Sequence, residues 1–594
     1  MPGIAAIISR EPAEKCRARL DAMLTTMSHE SFYTLRTHSI PRLGIYAGSI
    51  TFENSSDGIF SNREQSIGLI FSGECFWDSE IAGGERLIEL YESQGEKFLE
   101  KLNGLFCGLL MDVPSRKILL FNDRYGIQRI YHHEAKGDFY FASEAKALLR
   151  ILPELRQFDP EGAADFVAFG CTLNWRTLFQ GIQIVPGGSK WTIENGRCRK
   201  ETYFSPDLWE TQPRLPAEEF ENRLRQTFWR VLPRYFGSGP KVGIALTGGL
   251  DTRMIMACRP RNNGHTTCYT FSGNNGKTFD DKIAARVAAA SGLEHKLLRL
   301  GADFFVAFPA HADKTVFVTD GCAGISNTHE IYFNRRAREL APTRLTGNYG
   351  SEILRGVSTF KPIRVSPRLC QPEMRARVNS RAETLGMDRT PALTFAAFKE
   401  IPWNLFGNLA AGRSQVHFRT PYLDNEMVAL AFQAPEAARK SARPALGVIR
   451  ESNSGLSEIP TDRGWGGENT GIKFLVRRLL AEATFKLDYY HDEGLPGWLT
   501  PLDPAFKTMT ARLGVSGRHK FLHYPSWFRN ELAPYVSEMV MEAGHRNSFW
   551  NPDFLKGAAV DHISGRRNHS REINLILTLE SVDRQLFREL PRDF

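Results

Sequence analysis

Between Val242 and Arg253 the chain reads VGIALTGGLDTR. The apolar Val242, Ile244, Ala245 and Leu246 have the character of a buried parallel strand. The Gly248-Gly249 pair stops it, and a helix restarts near Asp251. A strand, a glycine turn and a helix start in this order suit an anion: glycines let the backbone approach a phosphate, N–H groups at the helix N-terminus face it, and Asp251 can hold Mg²⁺ between phosphates. Arg253 adds a cation beside it. The stretch lacks the spacing and the Lys of GxxxxGK[ST] and is not GxGxxG, so neither γ-phosphate transfer nor dinucleotide binding is indicated. A Gly-Gly pair alone is equally compatible with an ordinary tight turn.

The surroundings narrow the fold. After this stretch, strand-like and helix-like patterns alternate: TTCYTFSG, a helix from Asp280 to Ser291, EHKLLRL, a helix through Asn327 to Leu340, and TRLTGN. Such alternation predicts a doubly wound parallel sheet, α/β in class, with ligands at the carboxyl ends of its strands, where Thr247, Ser272 and Thr346 fall. Upstream, an amphipathic helix from Ala217 to Leu232 follows the Pro206, Pro213 and Pro216 linker. From Gly3 to Phe204 short β-like runs dominate, with helical patterning at 85–102 and 143–152. That predicts an α+β domain of stacked antiparallel sheets with helices outside. The expected organisation is a domain over 1–205 and a second over 206–594 with a helical C-terminal extension. The tail is rich in aromatics (among them Tyr489, Trp498, Trp527 and Trp550) and carries the basic turn SGRRNHSRE (564–572), read as a cap at Ser564 and a solvated face.

Charge and cysteines exclude other classes. The formal net charge of +8 is spread over 75 basic and 67 acidic residues without a long basic run, so no nucleic-acid partner is expected. Nine scattered cysteines without CxxC spacing fit reduced thiols in the cytoplasm. No apolar run reaches the ~20 residues of a membrane helix, so no membrane association is expected.

Several stretches carry a resemblance. The loop VGIALTGGLDTR resembles the SGGxDS pyrophosphate loop of the ATP-pyrophosphatases, with Thr247 and Thr252 in place of serines. Residues 103–149, with Asp123-Arg124-Tyr125-Gly126 and Ser143-Glu144-Ala145-Lys146-Ala147-Leu148 in order, resemble the glutaminase domain of the asparagine synthetases. That resemblance implies an N-terminal-nucleophile (Ntn) hydrolase fold whose nucleophile is the thiol of a cysteine at position 2. Here position 2 is Pro2. The family's Asn-Gly-Glu appears as Ser72-Gly73-Glu74, its Asp falls on Gly83, and its Arg aligns near Ser49. The resemblance therefore implies a domain that no longer hydrolyses glutamine and serves to cover the second domain.

TGNYGSEILRG (346–356) is similar to the family's SGEGSDEVFGG. Read without a gap, Asn348 and Ser351 replace its carboxylates. With one inserted residue, Tyr349 and Glu352 match the catalytic Tyr and metal carboxylate of the β-lactam synthetases, and this register is favoured because two Mg²⁺ ions need more than one carboxylate. GRSQVHFRTPYLDNEMV (412–428) resembles the RVPFLD turn at Arg419, Pro421, Leu423 and Asp424, Ile449-Arg450-Glu451 matches the next signature, and Arg463 stands nearest the family's charge-stabilising Lys. The resemblance implies ATP and Mg²⁺ as cofactors. Nucleotide contacts are expected from Ala245, Leu246, Thr247, Gly248, Gly249, Leu250, Asp251, Thr252, Phe271, Thr346 and Gly347; metal binding from Asp251 and Glu352; and catalysis from Tyr349, Glu352 and Arg463. The implied reaction is adenylation of a small-molecule or peptide carboxylate followed by attack of an amine not drawn from glutamine. The same loss of glutaminase residues marks the β-lactam synthetases and lasso-peptide cyclases, which makes lactam formation or macrocyclisation the expected outcome and pathway proteins possible partners. An asparagine synthetase using free ammonia and a non-catalytic nucleotide-binding subunit are the competing expectations.

Overall fold

A computed structural model describes residues 1–594 apart from 54, 78–79, 238–240, 261–265, 274–277, 468–470, 494–505, 507, 511–518, 520 and 589–594. Trp498 of the aromatic tail lies outside the described residues.

The N-terminal part is an α+β sandwich of two antiparallel sheets. One has six strands in the spatial order Gln183–Ile184, Tyr131–Ala135, Asp138–Ala142, Gly3–Ile8, Ile45–Phe52, Tyr33–Ile40. The other is built on Ile67–Trp77, Gly104–Asp112, Lys117–Asn122 and Ser189–Glu194. Strand residues such as Ile4, Ala6, Leu109 and Ile118 alternate inward and form the core between the sheets. The helices Ala13–Met27 and Gly84–Gln94 flank the sandwich. The helical pattern at 85–102 is realised as Gly84–Gln94 followed by a 3₁₀ turn, Gly95–Lys101. Gly95 breaks the helix at φ 58°.

Helix Ala217–Phe236 leads into a five-stranded, all-parallel sheet. Its order is His295–Arg299, Thr266–Ser272, Val242–Ala245, Thr343–Thr346, His417–Arg419. The strand Val242–Ala245 is central and pairs with Thr266–Ser272 on one side and Thr343–Thr346 on the other. The chain order reverses between the central strand and Thr343–Thr346, which puts a crevice at their carboxyl ends. The fifth strand, His417–Arg419, and the helices Ala302–Val306 and Phe308–Thr319 had no strong local signal.

The C-terminal part is helical, with Ala533–Arg546, Pro552–Ile563 and Ser570–Val582. Several of its aromatic residues are core: Tyr524, Trp527, Phe528 and Trp550 are buried, and Phe549 and Phe587 pack on Phe158 of the N-terminal part at 5.3 and 4.8 Å between ring centres. Ser564 caps helix Pro552–Ile563 at its C-terminal end. His562 and His569 are buried, so the basic turn contributes only its arginines to solvent. No helix among the described residues is long and apolar enough to cross a membrane.

Candidate active site

The pyrophosphate-type loop lies where the strand Val242–Ala245 ends and the helix Leu250–Cys258 begins. Thr247 Oγ1 and Thr252 Oγ1 are 3.2 Å apart, which ties the two ends of the loop together. Behind the loop, Gly248 donates its N–H to Asp280 Oδ1 at 2.7 Å. Burial, with the neighbouring Asp462 carboxylate, pushes Asp280 up to about 6. Facing it is the second loop, after Thr343–Thr346. Here Thr346 Oγ1 donates to Asn348 Oδ1 at 2.8 Å. Thr420 Oγ1 donates to the Asn348 carbonyl at 2.8 Å. The two loops touch through glycine: a Cβ on Gly347 would stand 2.6 Å from Thr252 N, and one on Gly350 would stand 2.6 Å from Asp251 Cγ.

Between them lies a cleft of about 360 Å³ lined by Thr247, Gly249, Asp251, Thr252, Thr346, Gly347, Asn348, Tyr349, Ser351 and Glu352 among others. Asp251 Oδ2 accepts from Ser351 Oγ at 2.9 Å and faces Arg355 at 3.5 Å. Its other oxygen, Oδ1, is buried and unpartnered. Burial raises the Asp251 carboxyl, against the pull of Arg355. Burial also raises Glu352, to about 7, and the Asp251 and Glu400 carboxylates add to the effect. Two carboxylates that resist ionisation side by side, one with an orphaned oxygen, suit a divalent cation. Among the described residues no group of three or more His, Cys, Asp or Glu is arranged for a metal. A cation here would complete its shell with phosphate oxygens and water, as Mg²⁺ does.

Tyr349 lies at φ 71°, in the left-handed region that costs a bulky residue energy. It precedes helix Gly350–Arg355, which places Ser351 and Glu352 in the cleft. The ring is buried and burial holds its phenol well above its ordinary value.

Several expected residues stand elsewhere. Ala245, Leu246 and Leu250 are buried in the core beneath the loop, where they shape it without lining the cleft. Phe271 stacks on Phe333 at 4.5 Å between ring centres, with Arg344 over its other side at 4.7 Å. Arg253 does not face an anion: its buried guanidinium donates to the carbonyls of Ile459 and, at 3.2 Å, Gly248, so it ties the 459–467 segment to the back of the pyrophosphate loop. Arg463 is on that segment but does not line the cleft. It pairs with Glu482 at 3.2 Å and its guanidinium lies 3.2 Å above the Phe485 ring. The structure adds lining residues beyond those expected: Glu330 and Asn408, together with Arg344 and Phe418 from stretches already singled out.

The glutaminase-like pocket also remains. Pro2, Asp57, Ser72, Gly73 and Glu74 share a cavity of about 50 Å³ with Arg413, at the end of helix Phe406–Arg413, and Arg419, on the last strand of the parallel sheet. Asp57 accepts from Gly73 N at 3.2 Å, and burial raises it to about 6. Gly83 caps helix Gly84–Gln94, and Ser49 is buried in its strand.

An antiparallel sandwich joined to a parallel sheet with a pyrophosphate-type loop at its switch point defines an Ntn-amidotransferase-like fold coupled to an ATP-pyrophosphatase-like domain. Residues 64–204 match the model of the glutamine amidotransferase domain, and residues 224–403 match that of asparagine synthase. Asparagine synthetase [glutamine-hydrolyzing] 1 of Bacillus subtilis is 23% identical over 337 residues, covering 54% of this chain and 52% of its own. Asparagine synthetase 2 of the same organism is 24% identical over 331 residues, 50% of this chain and 44% of its own. Asparagine synthetase B of Escherichia coli is 26% identical over 174 residues, 29% of this chain and 26% of its own. The two matched models and these relatives support membership of the asparagine synthetase family. The chain spans about half the length of these two Bacillus relatives.

Proposed function

We propose that this chain is an ATP-dependent amide-bond-forming ligase, with a glutaminase-like part over 1–205 that no longer hydrolyses glutamine. A substrate carboxylate oxygen attacks the α-phosphorus of ATP and the bond to pyrophosphate breaks. An amine then attacks the acyl carbon, AMP departs, and the amine's proton leaves to solvent. The observation that carries this reading is the opposition of Asp251, with its orphaned Oδ1, and Glu352 across a cleft whose floor is the Thr247–Thr252 loop.

The loop N–H groups with Thr247, Thr252, Thr346 and Gly347 hold the phosphates. Asp251 and Glu352 would hold Mg²⁺, which would supply positive charge to offset that on pyrophosphate. Glu352 has to give up its proton to do so. We assign the hydroxyl of Tyr349, which lines the cleft, the role of a hydrogen-bond donor to the acyl group. We assign Arg463 a charge-supplying role from the rim, which requires it to leave Glu482.

The amine source follows from the first pocket. Proline at position 2 supplies no thiol, Gly83 supplies no carboxylate, and both oxygens of Glu74 are occupied by Arg419. The amine then arrives free or on the same molecule as the carboxylate, as in lactam formation or peptide macrocyclisation. Exchange of labelled pyrophosphate into ATP, dependent on a carboxylate substrate and lost in Asp251→Ala, tests the reading. Absence of exchange with every carboxylate offered would overturn it in favour of a non-catalytic nucleotide-binding subunit. Glutamate release from glutamine by the purified protein would overturn the amine assignment.

A further inference from the structure

The nucleotide cleft has a neighbour. A second cavity, of about 370 Å³, shares Leu405 and Asn408 with it as a common wall. One side of this cavity is a coil that begins where helix Gly350–Arg355, the helix of Glu352, ends. The coil is held in place: Thr359 and Phe360 each donate an N–H to Glu400 Oε1 at 3.1 Å, and Ile363 donates to the Ala168 carbonyl at 2.7 Å. Phe360 packs against Phe169 of the N-terminal part at 5.6 Å between ring centres. The opposite side comes from the C-terminal helix Ser570–Val582, through Arg571 and Asn574.

The lining has a definite chemistry. Lys361 and Arg571 are exposed cations, and among the described residues no acidic side chain lines the cavity. Asn327, Asn404, Asn408 and Asn574 line it with carboxamides, groups that both donate and accept, and Asn574 Oδ1 already accepts from Ser326 N at 2.8 Å. The adjoining cleft differs in its lining, with the carboxyls of Asp251, Glu330 and Glu352 beside Arg344. Carboxamides suit the N–H and C=O groups of peptide bonds, and a pair of cations suits a carboxylate.

We propose that the second cavity holds the non-reacting part of the carboxylate substrate, and that this part is a peptide-like chain with a second anionic group that pairs with Lys361 and Arg571. This rests on the ligase reading above. Contacts remote from the reacting carbon orient the activated carboxylate, and the N-terminal part contributes one wall through Phe169 even without glutamine chemistry.

The test uses the full chain with Mg²⁺ and α,β-methylene-ATP, which cannot be cleaved at the α–β bond. Retention of a pool of short synthetic peptides, each with one internal Asp and a free C-terminus, is measured by equilibrium dialysis and mass spectrometry beside the same pool amidated at both carboxyls. The expected result is a preference for the acidic pool that falls about tenfold in the Lys361→Glu/Arg571→Glu variant, while nucleotide affinity and melting temperature hold. Equal retention of the two pools, retention of neither, or an unchanged preference in the variant would overturn the proposal. Failure of the wild-type chain to bind the nucleotide would instead count against the ligase reading.

Discussion

Arg419 and Glu74 meet in a two-pronged ion pair, Nη2 to Oε1 at 2.7 Å and Nε to Oε2 at 2.8 Å, that joins the last strand of the parallel sheet to the N-terminal sandwich. Arg419 also donates to the Tyr235 carbonyl at 3.1 Å. The contact is reinforced nearby, where Asn103 Nδ2 donates to Asp424 Oδ2 at 2.9 Å and Tyr125 Oη donates to Asn425 Oδ1 at 3.0 Å. A buried pair broken from one side leaves a bare charge, so Glu74→Gln should cost about 3 kcal/mol in denaturant unfolding. Burial acts to raise the Glu74 carboxyl, and the Arg419 guanidinium outweighs it, holding the group below its ordinary value of 4.5. A depressed carboxylate stabilises above its unfolded value, and that stability is lost as pH falls through the folded one. Acid should therefore narrow the gap between wild type and Glu74→Gln, beginning near pH 4.5.

Glu352 behaves in the opposite sense. Its carboxyl is raised from 4.5 to about 7 by burial, aided by Asp251 and Glu400. The metal-free chain therefore loses stability as pH rises from about 4.5 to about 7, where the unfolded chain ionises first. Glu352→Gln removes that cost, and without metal it should melt later than wild type at pH 8 by about 1–3 kcal/mol, with no difference at pH 4. The same variant should lose pyrophosphate exchange, and in wild type Mg²⁺ binding should weaken and release a proton as pH drops below about 7.

Tyr349→Phe separates chemistry from packing. The ring stays in the core and only the hydroxyl goes, so melting should shift by less than about 1 kcal/mol. If the hydroxyl acts on the acyl group, kcat falls about a hundredfold with KM for ATP unchanged. An equal fall in nucleotide affinity would assign the hydroxyl to ground-state binding.

Arg253 links two carbonyls at the back of the pyrophosphate loop, and burial lowers its pKa to about 10. Arg253→Met fills the same space and leaves both carbonyls unpaired, at a cost of about 2–4 kcal/mol in stability. The loop and the 459–467 segment should separate, so ATP affinity should fall as well, measured by calorimetry.

Local pattern explains what was legible in the sequence. The strand-turn-helix at Val242–Cys258 and the strands ending at Ser272 and Thr346 are set by apolar runs, glycines and caps a few residues apart, and all three form. The capping box of Thr278 and Asp281 likewise starts its helix within one residue of the expected position. The strand His417–Arg419 is only three residues long and exists because Thr343–Thr346 is there to pair with it. Nothing local marks it.

The amino-acid sequence by itself determined the architecture, the strand-glycine-helix turn over Val242–Arg253 and the proline at residue 2, since each depends on residue types and spacings within one stretch. Only the tertiary structure decided where the long cations go. Arg253 turns to carbonyls and Arg463 to Glu482, because a flexible charged side chain takes its direction from partners distant in the chain. The tertiary structure also brought Asp251 against Glu352 and assembled the second cavity from Phe169, Lys361, Asn408 and Asn574. A cavity is the space left between packed elements, and no single element specifies it.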